Sequence, residues 1–442
     1  MALSPVMDPH AVSRAADEGR GRRYTAALVI TVCLFFLWGM ANNLNDILIA
    51  QFRKAFALSD FGTSFVQQVF YFGYFLVAIP ASAVMRRYGY KTAIVLGLTL
   101  YGCGALLFYP AAVAGVYQLF LLALFVIACG LAFLETSANP LMTELGDPRS
   151  AARRLNWAQA ANPLGAITGI LVGRNFILSG IEHDERALGS MTAAARDAFY
   201  RAEVQAVVMP YVAIAVVVLL FAVAAALVPF PRGSVEEETP QSSGGGFAQL
   251  LHRPQLIGAV LAQFFYVGAQ VGLWSYTIRY AQANAGMGER AGADALFVSL
   301  VLFAVGRFVG TALMARLSPV ALLAIFSGIS LVLAGVAGTV GGTIGLYALV
   351  GSSLFMSIQF PTIFALGVEG LGPLRKAGSS LIIMAIIGGA ALTALMGWVS
   401  DRVGITHAML VPMMCFAAVL GFALYARRSG ARGTTVLEGC KA

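Results

Sequence analysis

Residues 116–143 read VYQLFLLALFVIACGLAFLETSANPLMT. One charged side chain, Glu135, stands in a run longer than the about 20 apolar residues a helix needs to cross the hydrocarbon core of a bilayer. The apolar residues are continuous rather than alternating, and the run is far longer than a barrel strand, so it is a membrane-spanning helix. Eleven further runs of this kind flank it, at 25–52, 61–85, 92–112, 155–178, 205–230, 255–281, 293–316, 318–338, 343–369, 376–400 and 404–426. The fold class is therefore an all-α membrane protein with twelve spans.

Composition agrees. Of the 442 residues 59% are hydrophobic and 11% charged, against about 25% charged in an average soluble chain. So few charges cannot cover a soluble surface, which excludes a soluble enzyme. The 48 glycines suit helices that pack closely in lipid. The net charge of +8 sets topology rather than marking a nucleic-acid partner. With both termini cytoplasmic, 19 basic residues fall inside and nine outside, and Arg307 within a span completes the 29. The mixed charges of residues 1–24 read as a cytoplasmic tail, not a secretory signal. With no N-x-[ST] sites in so compact a chain, a bacterial inner membrane is expected.

The five cysteines (Cys33, Cys103, Cys129, Cys415 and Cys440) show no paired spacing, and the four histidines lie in tails, loops or linker. Neither a disulfide framework nor a metal site is expected. The chain lacks GxxxxGK[ST], HExxH and GxSxG, so ATP is not its energy source and an enzyme is not indicated.

A polar segment rich in Glu, Ser and Gly, 231–246, falls after the sixth span. The spans on either side echo each other: FFLWG at 35–39 matches FFYVG at 264–268, and Met85-Arg86 matches Met314-Ala315-Arg316. Gly146-Asp147-Pro148 likewise matches Gly372-Pro373, each followed by basic residues. All share an offset of about 225 to 230 residues, which points to duplication. The expected organisation is a tail (1–24), a six-helix half (25–230), a cytoplasmic linker (231–254), a second half (255–426) and a tail (427–442). Two such halves about an axis along the membrane normal describe the major facilitator fold, with alternating access to a midplane site.

Of 21 acidic residues only Asp46 and Glu135 sit well inside spans. A charge at the centre of a helix costs about 2.5–3.5 kcal/mol on insertion, so such a residue is a candidate functional group. A carboxyl that alternates between protonated and ionised forms is what proton coupling requires. Amides gather around both: Asn42, Asn43 and Asn45 beside Asp46, Asn139 one turn after Glu135, and Gln159 with Asn162 on one face of the fifth span. Gln263, Gln270 and Gln359 follow in the second half, and Trp38 and Trp274 occupy spans one and seven. Amides serve sugar hydroxyls as donor and acceptor, and an aromatic face suits the C–H face of a pyranose. Pro140 and Pro163 would kink their helices near these groups.

These stretches resemble the fucose permease family, the L-fucose:proton symporters of the major facilitator superfamily. The likeness rests on FFLWGMANNLNDILIAQF from Phe35, FYFGYF from Phe70, LETSANP from Leu134, RLNWAQAANPLGAI from Arg154, AQFFYVGAQVGLWSYTIRYA from Ala262 and SIQFPTIFALG from Ser357. It implies that Asp46 and Glu135 are the proton-coupling carboxylates and that Gln159 and Asn162 belong to the sugar cavity. Trp38, Asn42, Asn43, Gln270, Trp274, Gln359 and Phe360 complete the expected substrate set. Two residues depart from the family pattern: Phe360 stands where a tyrosine is usual, and Pro163 where a serine is.

The function implied is secondary active import of L-fucose or a related monosaccharide, driven by protons. A glucose/galactose-type carrier, coupled to sodium, is the alternative. No organic cofactor and no metal are expected. The partners implied are the monosaccharide and membrane lipid, and a monomer is expected.

Overall fold

A computed structural model describes residues 25–56, 60–144, 148–177, 190–230 and 246–439. The expected tail 1–24 and most of the expected linker lie outside these residues. Ten helical stretches among them are long and apolar enough to cross a membrane. One, Phe65–Ala114, contains two of the expected spans. Its helix, Asp60–Leu106, bends at Gly89, whose φ of 84° only glycine adopts readily. The fifth span is assembled from shorter pieces, Ala151–Gln159, Ala161–Val172 and a wide turn over Gly173–Ile177, broken just before Asn162-Pro163. Twelve spans result.

Span one is Thr25–Ala55, span four Tyr117–Glu144, span six Val208–Leu227 and span seven Pro254–Ala285. Span eight is Glu289–Leu313 and span nine Pro319–Thr339. Span ten is Gly342–Met356 continued by Gln359–Val368, and span eleven Arg375–Met384 continued by Gly388–Val403. Span twelve begins at Ile405–Ala408 and runs on through Leu410–Gly439. The end at which span one starts is called the near end below, the other the far end.

Packing repeats across the chain. Span one packs on five and seven on eleven; span two packs on four and eight on ten; span three packs on six and nine on twelve. The same close approach recurs too. A Cβ at Gly165 would collide with the carbonyl of Phe36, and one at Gly388 with the carbonyl of Phe264. Gly39 is equally constrained, by the carbonyl of Asn162. Missing side chains let these backbones touch, as helices without a hydrophobic drive between them require.

Large apolar side chains such as Leu220, Val223, Leu227, Ile344 and Tyr347 face outward, whereas Glu135, Asn139, Asn156, Gln159, Gln263, Arg307 and Gln359 are buried. Lipid-facing residues are apolar and polar groups turn inward, the inverse of a soluble protein. The two sets of six spans meet in a seam toward the near end. There the hydroxyl of Ser82 donates to the Lys376 carbonyl (2.8 Å), Asn156 donates to Thr362 (3.1 Å), and Arg375 pairs with Glu144 at 3.6 Å.

Candidate functional site

On the far side of that seam lies a cavity of about 170 Å³. At roughly 10–15 Å³ per water it has room for on the order of a dozen waters, or one monosaccharide-sized solute. Span one contributes Trp38, Asn42, Asn43 and Asn45, span five Asn162 and Pro163, span seven Gln270 and Trp274, and span ten Phe360. Seven of the nine expected substrate residues thus come together from both sets of spans: Trp38, Asn42, Asn43, Asn162, Gln270, Trp274 and Phe360.

The helices fix how the amides are offered. Asn42 and Asn43 turn their nitrogens back to the carbonyls of Trp38 (3.2 Å) and Gly39 (3.0 Å), leaving the side-chain oxygens as acceptors for the cavity. Asn162 donates to the Phe35 carbonyl at 3.3 Å, a contact that the glycine-mediated approach of spans one and five makes reachable.

The aromatic wall is equally pinned. Trp38 donates to the Tyr74 hydroxyl (2.5 Å) and lies 6.2 Å from the Phe360 ring. Phe360 meets Tyr266 at 6.4 Å, and Trp274 donates to Ser353 (3.2 Å) while meeting Phe303 edge-on at 5.0 Å. Buried indole N–H groups with partners hold their rings in one orientation.

Gln159 and Gln359 do not line the cavity. Gln359 is wholly buried and donates to Ser330 (3.1 Å) and to the Phe355 carbonyl (3.0 Å), so it ties spans nine and ten. Gln159 lies beneath the cavity. Its nitrogen donates to the Asn139 oxygen at 2.8 Å, and its oxygen accepts from the Arg307 guanidinium at 3.1 Å.

Glu135 is 3% exposed, and neither carboxyl oxygen makes a hydrogen bond of ordinary geometry among the described residues. The Tyr74 hydroxyl, already the acceptor for Trp38, lies beside it. The carboxyl thus sits directly behind the aromatic wall. Asp46 lies in the helix of span one, one turn past Asn42; its side chain lies outside the described part.

Sequence reasoning assigned no role to several lining residues. Gln67, Phe70 and Tyr71 line the cavity, and Tyr74 positions Trp38. They occur at i, i+3, i+4 and i+7 of span two, a single helical face that spacing alone could have flagged. Phe303, also in the lining, had no comparable signal.

At the near end, outside the spans, Tyr90 donates to Glu144 at 2.6 Å. Burial, and then the Glu144 carboxylate, hold the Tyr90 hydroxyl well above the usual tyrosine range.

The family described as Major Facilitator Superfamily matches residues 27–392. An L-fucose-proton symporter of Escherichia coli (strain K12) is 44% identical over 92% of this chain and 95% of its own length. The chain belongs to the fucose permease family of the major facilitator superfamily. A Haemophilus influenzae L-fucose-proton symporter is 34% identical over 91% of the chain and 97% of that protein, and a Brucella abortus glucose/galactose transporter 34% over 92% and 96%. Among solved structures, the fucose permease fold is matched by the major facilitator transporter FucP in the outward conformation. It has a TM-score of 0.85 and 43% identity, with 91% of this chain and 99% of that one covered. The chain is an integral membrane transporter, not an enzyme.

Proposed function

We propose that this chain imports L-fucose together with a proton across a bacterial inner membrane. Residues 25–230 and 255–426 would open in turn to either side, with the near end and both termini cytoplasmic. The observation that carries the reading is the placement of buried Glu135 directly behind Tyr74 and Trp38, which wall an amide-lined cavity between the two sets of spans. In this reading Asn42, Asn43, Asn162 and Gln270 bond the sugar hydroxyls. Trp38, Trp274 and Phe360 cover its C–H face.

Glu135 and Asp46 carry the proton. An ionised carboxylate in a dry site is costly, and protonation removes that cost as the sugar seals the cavity. Sugar and proton therefore favour each other's binding. The relatives at higher identity are named fucose-proton symporters, which supports fucose over the glucose/galactose alternative and a proton over sodium. In this reading the chain works as a monomer in lipid.

The test is uptake of labelled L-fucose into proteoliposomes by Glu135→Gln and Asp46→Asn. Both variants should lose gradient-driven accumulation. Full accumulation in both would refute the assignment.

A further inference from the structure

Arg307 is a cation with 3% exposure inside span eight. No carboxylate lies within ion-pair distance of it among the described residues. Its guanidinium sits 5.1 Å from the Phe303 ring and donates to the Gln159 oxygen on span five, in the other set of spans. Its Nε makes no hydrogen bond. A buried cation this poorly neutralised calls for an explanation.

The amides beyond it supply one. Gln159 accepts from Arg307 and donates to Asn139, whose own side-chain nitrogen has no partner. One turn before Asn139 on the same helix stands Glu135, whose carboxyl has the Tyr74 hydroxyl beside it. Both amides point the same way, oxygen toward the cation and nitrogen away from it. The chain Arg307–Gln159–Asn139 is therefore a head-to-tail row of dipoles that starts at a positive charge. It ends on an orphaned donor, one helical turn from the Glu135 carboxyl. Such rows polarise cooperatively and favour a negative charge at their far terminus.

We propose that Arg307 is a positioning residue for the coupling step, reading the charge on Glu135 through Gln159 and Asn139. With Glu135 ionised, the row runs from cation to anion and draws spans four and five against span eight, holding the near end shut. Protonation removes the negative terminus, weakens the pull across the seam and frees the two sets of spans to move. The other titratable groups around the row, among the described side chains, are Tyr71, Tyr74 and Tyr101 on the Glu135 side and Tyr266 on the Arg307 side. The inference rests on Glu135 being the coupling carboxyl.

The experiment is equilibrium exchange of labelled L-fucose in proteoliposomes as a function of pH, beside gradient-driven uptake. Glu135→Gln, Arg307→Gln, Arg307→Lys and the Glu135→Gln/Arg307→Gln double variant are compared with the wild type. Above the pH at which the carboxyl ionises, wild-type exchange should fall about tenfold per pH unit. Arg307→Gln should flatten this profile to within about twofold and abolish accumulation, and Arg307→Lys should restore part of the slope. The double variant, in which both charges leave together, should insert at wild-type levels and match Glu135→Gln rather than sum the two losses. A lowered but wild-type-shaped profile in Arg307→Gln, with Glu135→Gln flat, would overturn the role of Arg307 and leave that of Glu135 standing. A wild-type profile in Glu135→Gln would instead overturn the coupling carboxyl, and this inference with it.

Discussion

The indole N–H of Trp38 donates to the hydroxyl of Tyr74 across 2.5 Å, linking span one to span two at the wall of the cavity. Tyr74 is 1% exposed and lies beside Glu135, so the ring that covers the proposed sugar and the proposed proton carrier share one hydroxyl. The proposed substrate and proton sites are adjacent layers.

Tyr74→Phe removes that hydroxyl and little else. One hydrogen bond contributes about 0.5–1.5 kcal/mol, so L-fucose affinity should fall by roughly two- to tenfold while the protein remains folded. Titration of Trp fluorescence with the sugar reads this directly. Unchanged affinity would mean that Trp38 is held by packing alone.

Phe360 lies in the cavity wall, 6.2 Å from Trp38. Phe360→Tyr places a hydroxyl there and should tighten L-fucose binding by up to about tenfold if it meets a sugar oxygen. Competition of labelled L-fucose with D-glucose and D-galactose before and after the change would show whether this position sets specificity.

Gly39 and Gly165 let spans one and five touch. Gly39→Ala or Gly165→Ala should cost about 1–3 kcal/mol each through overpacking and lower the melting temperature in detergent. Gly421→Ala, with nothing within 4 Å of the added methyl, should leave it unchanged or slightly raised.

The near-end seam should open more readily without Glu144. Glu144→Gln loses the 3.6 Å pair with Arg375 and weakens the bond from Tyr90. A partly exposed pair contributes about 0.2–1 kcal/mol, so near-end opening should rise by at most about fivefold. Alkylation of a cysteine introduced at the seam, Ser379→Cys, measures it. Because the Tyr90 hydroxyl is held above its ordinary range, its neutral, donating form is the one the folded protein stabilises. Raising the pH through the ordinary tyrosine range should therefore not by itself release this contact.

The sequence carried most of the fold because spanning helices are written as uninterrupted apolar runs. Residues 116–143 needed no tertiary information to be read. Span five was the harder case, since Asn156, Gln159 and Asn162 interrupt its hydropathy and its helix breaks where they cluster. The cavity was legible where rare residue types marked it: amides and tryptophans stand out against an apolar background. Gln359 looked equivalent but serves packing, because an amide's type does not reveal which way its helix faces. Tyr74 and Arg307 were harder still. Their importance lies in partners on other spans, Trp38 and Gln159, and that pairing exists only once the bundle is assembled.

The most direct test of the central claim is uptake into proteoliposomes under an imposed pH gradient without sodium, with labelled L-fucose beside labelled D-glucose. Accumulation of L-fucose, absent for D-glucose and abolished by collapsing the gradient, is the predicted result. Accumulation of D-glucose in its place, or of neither sugar until sodium is added, would contradict the account.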